Sequence, residues 1–300
     1  MAELFRVYES ENDIQGLPLI AMLSGFTDSG QTISQLSEHL FAHLDTELIV
    51  RFTNDELLDY RSRRPLLYFE KDHIESYEPP VLGLYLAHDE AGSPFLLLEG
   101  YEPDFRWDAF SDAVADLVAK FEVSSFTWVH SIPFPIPHTR PVGITVSGNR
   151  ADLVERFSEW KPQTQVPGNV IHLLEYKLGQ RGLTTTGFVL LVPHYLADNE
   201  VPAAALSGLE LITAATGLVF PTDEIRERAV KFEAKVNAQL EENAELAKLV
   251  ATLEQSYSSG TGPSRSPIGK PQVAPPNADQ IAEELEKYLA NMSKDDPGSE

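Results

Sequence analysis

Eight short β-forming runs, separated by helix-length amphipathic segments, occupy residues 1–221, and this alternation leaves few folds open. The runs are LFRVY (4–8), LPLIAML (17–23), ELIVRFT (47–53), VLGLYLA (81–87), FLLLEG (95–100), SFTWVHS (125–131), VGITVSG (142–148) and TTTGFVLLVP (184–193). Several are continuously apolar, as strands covered on both faces should be. Between them, one segment places Ile33, Leu36, Leu40, Phe41 and Leu44 on a single helical face, and another does so with Phe110, Val114, Leu117 and Phe121. Further helices are expected at about 169–180 and at 202–216, where Pro202 opens the segment and Gly217 lies just past its end. The pattern predicts an α/β fold with a mostly parallel sheet flanked by helices.

After Pro221 the character changes. Thr222 to Tyr257 runs 36 residues without glycine or proline and opens on Thr222-Asp223-Glu224-Ile225, a helix-starting sequence. One long helix is expected, or two joined by a slight break. Alternating steps of four and three residues give Ile225, Ala229, Phe232, Val236, Gln239, Asn243, Leu246, Val250, Leu253 and Tyr257, an apolar seam interrupted by two amides. Such a seam suits packing on the chain's own domain or self-association. Residues 258–279 are rich in Ser, Gly and Pro and read as a flexible linker. Residues 280–300 read as a short amphipathic helix, with Ile281, Leu285, Tyr288 and Leu289 on one side, followed by a polar tail. The organisation is therefore a core domain (1–221), a helical extension (222–257), a linker (258–279) and a terminal helix and tail (280–300).

Charge narrows the partners. With 46 acidic and 23 basic residues the formal net charge is -23, which repels phosphate backbones and anionic lipid, so neither nucleic acid nor membrane is expected as a partner. There is no cysteine, and the eight histidines are scattered without ligand spacing, so no metal or cofactor is expected. No basic leader with an apolar core and no apolar run of about 18 residues is visible, and the chain reads as cytoplasmic.

Three loops carry the candidate chemistry. GFTDSGQT (25–32) follows a strand with almost the spelling of a phosphate-binding P-loop, but Gln31 stands at the lysine position and Asp28 adds negative charge. Nucleotide hydrolysis is not expected there, and LYLAHDE, with Asp89 and Glu90, reads as a plain hairpin turn rather than a metal site. Gly25 and Gly30 would give the turn backbone freedom while Asp28 or Ser29 caps the following helix. The carboxyl end of an early strand is nevertheless where open α/β sheets place ligands. DELLDYRSRRP (55–65) combines three acids with Arg61, Arg63 and Arg64, which can neutralise one another or clamp an anion. HSIPFPIPHTRP (130–141) carries four prolines that hold His130, Ser131, His138 and Arg140 with little mobility. A ligand pocket would draw on Gly25, Asp28, Gly30, Arg61, Arg64, His130 and Arg140. His194 reads as structural, and without a G-x-S-x-G or H-E-x-x-H motif no catalytic residue is assigned.

Taken in order, GFTDSG, DELLDYRSRRP, HSIPFPIPHTRP and the long helix after the core resemble the proteasome assembly chaperone 2 family in its actinobacterial branch, over about residues 1–257. The resemblance implies a fold similar to purine nucleoside phosphorylases and a homo-oligomer, with a trimer as the first expectation. It also implies a chaperone-like role, because eukaryotic and archaeal members help assemble proteasomal α-subunits. It carries over no catalytic residue. Such chaperones dock through a C-terminal hydrophobic-tyrosine-any tripeptide, whereas this sequence ends in Gly298-Ser299-Glu300, so another mode of contact is expected. Two functions are weighed: a non-enzymatic assembly or protein-interaction protein with a protein client, and a binding protein or enzyme for a small anionic or nucleoside-like ligand held at the strand carboxyl ends. An ATP-dependent ligase would need lysines and paired carboxylates that the loops lack. Convergence of the named side chains on one concave pocket discriminates between the first two.

Overall fold

Period-two alternation in the central strands sends side chains to two separate helical layers. The computed structural model describes residues 4–258 apart from 9, 11, 13, 160, 162 and 164, so the expected linker and terminal helix lie outside the described residues. The strands of the main sheet are β1 (Phe5–Val7), β2 (Pro18–Ser24), β3 (Thr46–Phe52), β6 (Gly83–His88), β7 (Pro94–Tyr101), β8 (Ser125–Phe134), β9 (Gly143–Gly148) and β10 (Thr184–Pro193). β4 (Leu66–Glu70) and β5 (His73–Glu78) form a separate two-stranded sheet.

The order in the large sheet is β1-β3-β6-β7-β2-β8-β10-β9. Only its centre, β7-β2-β8-β10, is parallel; β1, β3 and β6 on one side and β9 on the other pair antiparallel. The expected mostly parallel sheet is thus a mixed one. The apolar runs identify strands, but pairing direction is set by long-range contacts that no run encodes.

On β2, Leu19, Ala21 and Leu23 face one way, joined by Leu96 and Leu98 of β7 and by Phe126 and Trp128 of β8. This face is covered by α3 (Trp107–Lys120) through Phe110, Val114 and Leu117, and by α5 (Val170–Gln180) through Ile171, Leu174 and Leu178. Ile20 and Met22, with Phe95, Leu97, Val129 and Leu190, face the opposite way. There α1 (Thr32–His43) contributes Ile33, Leu36 and Leu40, and α6 (Pro202–Thr216) contributes Ala205, Leu209 and Ile212. Each fully buried leucine, isoleucine, valine, methionine or phenylalanine among these contributes about 1.5–3 kcal/mol. Two short helices, α2 (Asn54–Leu57) and α4 (Ala151–Phe157), complete the core.

Asp89 fastens the segment of the core that leads into the extension. Its Oδ1 accepts the Ala91 and Ser93 amides at 3.0 and 2.7 Å, and its Oδ2 accepts the Val219 amide at 2.8 Å, across 130 residues of sequence. Burial alone would raise its pKa; the N–H donors from Val219, Ser93 and Ala91 outweigh it and bring the carboxyl below its usual range. Beyond that staple the extension is two helices, α7 (Asp223–Glu242) and α8 (Ala244–Ser258). Asn243 breaks them with extended backbone, and its side chain accepts the Glu245 and Leu246 amides at 3.1 Å, starting α8. Ile225, Val236, Val250 and Leu253 are buried, and Phe232 and Val236 pack on Val192, Leu196, Val201 and Ala204. The seam therefore serves packing on the chain's own domain.

Candidate functional site

The carboxyl ends of β2, β7 and β8 bring together the loops singled out in the sequence. After β2 the chain turns through Gly25, and Asp28 forms an isolated parallel bridge with Ser131 of β8. Asp28 Oδ1 accepts the Ile33 amide at 2.7 Å; Oδ2 accepts the Ser34 amide at 3.0 Å and the Ser34 hydroxyl at 2.7 Å. The Ser131 hydroxyl lies 3.4 Å from Oδ1. Asp28 thus faces the helix it caps, although Gln31, in the left-handed region at φ 47°, occupies the formal position before α1. Asp28→Ala is expected to cost about 2 kcal/mol in urea unfolding, and Asp28→Asn, which keeps one acceptor oxygen, less. A residue reserved for a ligand would leave the stability of the unliganded chain unchanged.

Gly30 has a different task. Its φ of 71° suits glycine, its N–H donates to the Ala197 carbonyl at 2.7 Å, and its carbonyl accepts from the Val201 amide and the Gln35 side chain. A Cβ there would lie 3.0 Å from Val201 Cβ. It is a packing position on the α6 side.

His130 is buried near the middle of β8, its Nε2 3.1 Å from Thr27 Oγ1, which also donates to the Ser131 carbonyl. Phe26 stacks on the imidazole with centroids 5.5 Å apart. Burial pushes the His130 pKa down to about 4; His172 adds to the shift and Asp28 opposes it, so the ring is neutral at pH 7. His172 in turn packs edge-on against Trp128 at 5.1 Å and closes a capping box with Asn169 at the start of α5.

The arginine that joins this surface is Arg63. Its Nη1 donates to the Glu102 carbonyl at 2.7 Å, its Nη2 lies 3.3 Å from Asp104, and its guanidinium sits over Tyr101. A Cβ on Gly25 would fall 2.6 Å from Arg63 Nη2, so glycine is what lets the guanidinium close over the turn. The Glu102 side chain accepts the Val170 amide at 2.7 Å, and burial raises its pKa against the pull of that amide and of Arg63. Arg61, by contrast, is exposed beside Asp59, and Arg64 is exposed. Arg140 is committed elsewhere: it holds Glu254 of α8 at 2.9 and 2.7 Å and lies over Tyr257. No spacing in the sequence separates Arg63 from its neighbours; the choice is made by packing against Gly25.

Gly25, Asp28 and His130 therefore share one surface with Thr27, Arg63 and Glu102, whereas Gly30, Arg61, Arg64 and Arg140 do not join it. The polar groups that meet there bond one another. A groove of about 500 Å³ lies on the other side of the Pro-rich loop, lined by Val142, Leu196, Leu206 and Phe232 with Arg140 and Arg226 beside them. Among the described residues no group of three or more His, Asp or Glu is placed to hold a metal ion, and no helix is long and apolar enough to cross a membrane.

A sheet covered on both faces, mutually bonded strand-end loops and a two-helix strap define an α/β protein built around a mixed sheet. The chain belongs to the PAC2 family, whose profile matches residues 22–240. It is similar to a Mycobacterium tuberculosis protein of unknown function, at 38% identity over 86% of this chain and 90% of that one, with a TM-score of 0.79. A Corynebacterium glutamicum protein of unknown function is 35% identical over 86% of this chain and 98% of that one, TM-score 0.81. A Mycobacterium tuberculosis proteasome-assembly chaperone homologue shares the fold at 21% identity over 78% of this chain and all of that one, TM-score 0.71. No curated protein shows a significant match to the chain.

Proposed function

We propose that this chain is a non-enzymatic, assembly-chaperone-like protein that acts by binding other protein surfaces, as a homo-oligomer with a protein client in the cytoplasm. The observation that carries this reading is the β4–β5 hairpin, where Leu66, Leu67, Tyr68, Phe69, Ile74 and Tyr77 are each 53–73% exposed. Six large apolar side chains exposed on one hairpin of a chain of net charge -23 mark a place that another protein covers. The strand-end loops support the same reading from the opposite direction, since Asp28, His130 and Arg63 are spent on a helix cap, a buried stack and a carbonyl clamp. On this view the scaffold keeps a nucleoside-phosphorylase-like layout and uses its loops as turns.

Affinity co-purification from the native cell, after mild crosslinking of the full chain, tests the client. A discrete, stoichiometric partner, with proteasomal α-subunits the first to look for, is the expected result. Recovery of the chain alone would overturn the assembly role.

A further inference from the structure

At the β1 edge of the large sheet, Arg6 stands directly opposite Arg51 of β3. Like charges facing one another across a strand pair destabilise it, so this pairing opposes the fold instead of holding it. Counter-charge is plentiful elsewhere: the chain has 46 acidic residues against 23 basic ones, and Arg63, Arg106, Arg150, Arg181, Arg226 and Arg228 each lie beside a carboxylate. Arg6 and Arg51 have no carboxylate within ion-pairing distance among the described residues.

Both arginines line one shallow groove of about 290 Å³ with Tyr8, Asn54, Asp55 and Tyr60. Its other polar groups are engaged with one another or with the backbone. Tyr60 donates its hydroxyl to Asp55 Oδ1 at 2.9 Å, so that carboxylate turns to a phenol and not to an arginine. Asn54 donates to the Pro80 carbonyl at 2.7 Å and accepts from the Tyr101 hydroxyl at 2.7 Å. Arg6 lies over the Tyr8 ring, 5.5 Å from its centroid, which orients the guanidinium without neutralising it. On the inner side Arg51 acts on Tyr85 and Tyr101, but burial raises the pKa of both phenols and keeps them protonated. The groove therefore keeps two guanidinium forks unspent.

The chemistry that matches them is a phosphate group. One guanidinium fork satisfies a carboxylate, whereas a phosphomonoester brings about -1.5 to -2 charges at pH 7 and three acceptor oxygens, enough for both arginines at once. The volume stands at the lower end of the ~300–1,000 Å³ of ligand pockets, which suits a phosphate on a small organic group. A net charge of -23 works against a polyanion, which feels the whole chain, more than against one phosphate held at contact with two arginines. We propose that the Arg6–Arg51 groove binds a small phosphomonoester, its phosphate bridging the two guanidinium groups and its organic group against Tyr8 and Tyr60. The site is separate from the strand-end loops and independent of the protein-binding reading above. The unliganded chain carries the repulsion of the arginine pair, and the ligand relieves it.

Isothermal titration of the full chain with phenyl phosphate tests this, with benzoate as a carboxylate probe of similar shape at the same ionic strength. Wild type is expected to bind phenyl phosphate with a dissociation constant below ~1 mM, and benzoate about tenfold more weakly or worse. Arg6→Gln and Arg51→Gln should each weaken phenyl phosphate binding by about tenfold or more, while the thermal midpoint of the unliganded chain stays level or rises as the repulsion is removed. Arg156→Gln, at an exposed arginine on α4 outside the groove, should bind as wild type does. Arg51 is half-buried, so if its variant has a lowered midpoint, Arg6→Gln on the exposed edge decides alone. No binding of phenyl phosphate up to ~10 mM overturns the proposal, as does wild-type affinity in Arg6→Gln. Benzoate binding as tightly as phenyl phosphate overturns the phosphate assignment, and equal loss in Arg156→Gln overturns the site.

Discussion

Gly187→Ala is expected to lower the stability of the chain by roughly 2–4 kcal/mol, measured as the urea midpoint. Gly187 lies on β10 directly opposite Trp128 of β8 and Ser147 of β9. A Cβ there would stand 2.2 and 2.3 Å from the Trp128 ring atoms Cε2 and Cζ2 and 2.5 Å from Ser147 Oγ, so both neighbours must move. The indole is not free to do so. Its Nε1 donates to Glu175 at 2.6 Å, and the same carboxylate oxygen accepts from Ser147 Oγ at 2.7 Å. Burial already raises the Glu175 pKa against these two donors. Displacing the indole would strip Glu175 of a partner while overfilling a close-packed layer. Trp128→Phe removes the atoms that collide, so the pair of substitutions should cost less than the sum of the two, by about 1 kcal/mol or more.

The second large effect is a pH dependence. The His130 pKa is about 4 in the fold against 6.5 for the free side chain, so the unfolded chain binds the proton more readily. The stability contributed by the neutral buried ring is fully present above pH 6.5, is lost as pH falls from 6.5 towards 4, and changes little below that. The loss amounts to about 3 kcal/mol, the ring being almost wholly buried. His130→Gln, which cannot take up that proton, should lose correspondingly less over the same window. Glu99, Glu102 and Glu175 have raised pKa values and act in the opposite sense, gaining protons on folding; they are common to both chains and cancel in the difference. Parallel pH profiles of wild type and variant would refute this account.

What the sequence showed clearly were segments whose burial pattern is local. β2, β7, β8 and β10 are apolar on both faces and were legible as strands, and Pro202 and Gly217 bounded α6 as their chemistry requires. The hairpin was not legible, because its turn at Lys71-Asp72 has none of the glycine or asparagine that marks a two-residue turn, although Lys71 takes a positive φ. The candidate site divided along the same line. Asp28 could be narrowed to cap or pocket from its neighbours in sequence. Arg140 could not be read at all, since its partner Glu254 lies 114 residues away on α8. Arg63 was passed over for Arg61 and Arg64 because three arginines in four positions look alike until one of them closes over a glycine.

One further consequence follows from Asn243. Without the break there, Thr222 to Tyr257 would form a single mast about 54 Å long, projecting away from the domain. Instead the extension folds into a latch. Asn237 before the break and Glu254 after it both reach the same short loop, at His138 and Arg140. A side-chain amide at one position thereby fixes how far the last described turn stands from the β-sheet, and the hydrodynamic radius of the chain should report its removal.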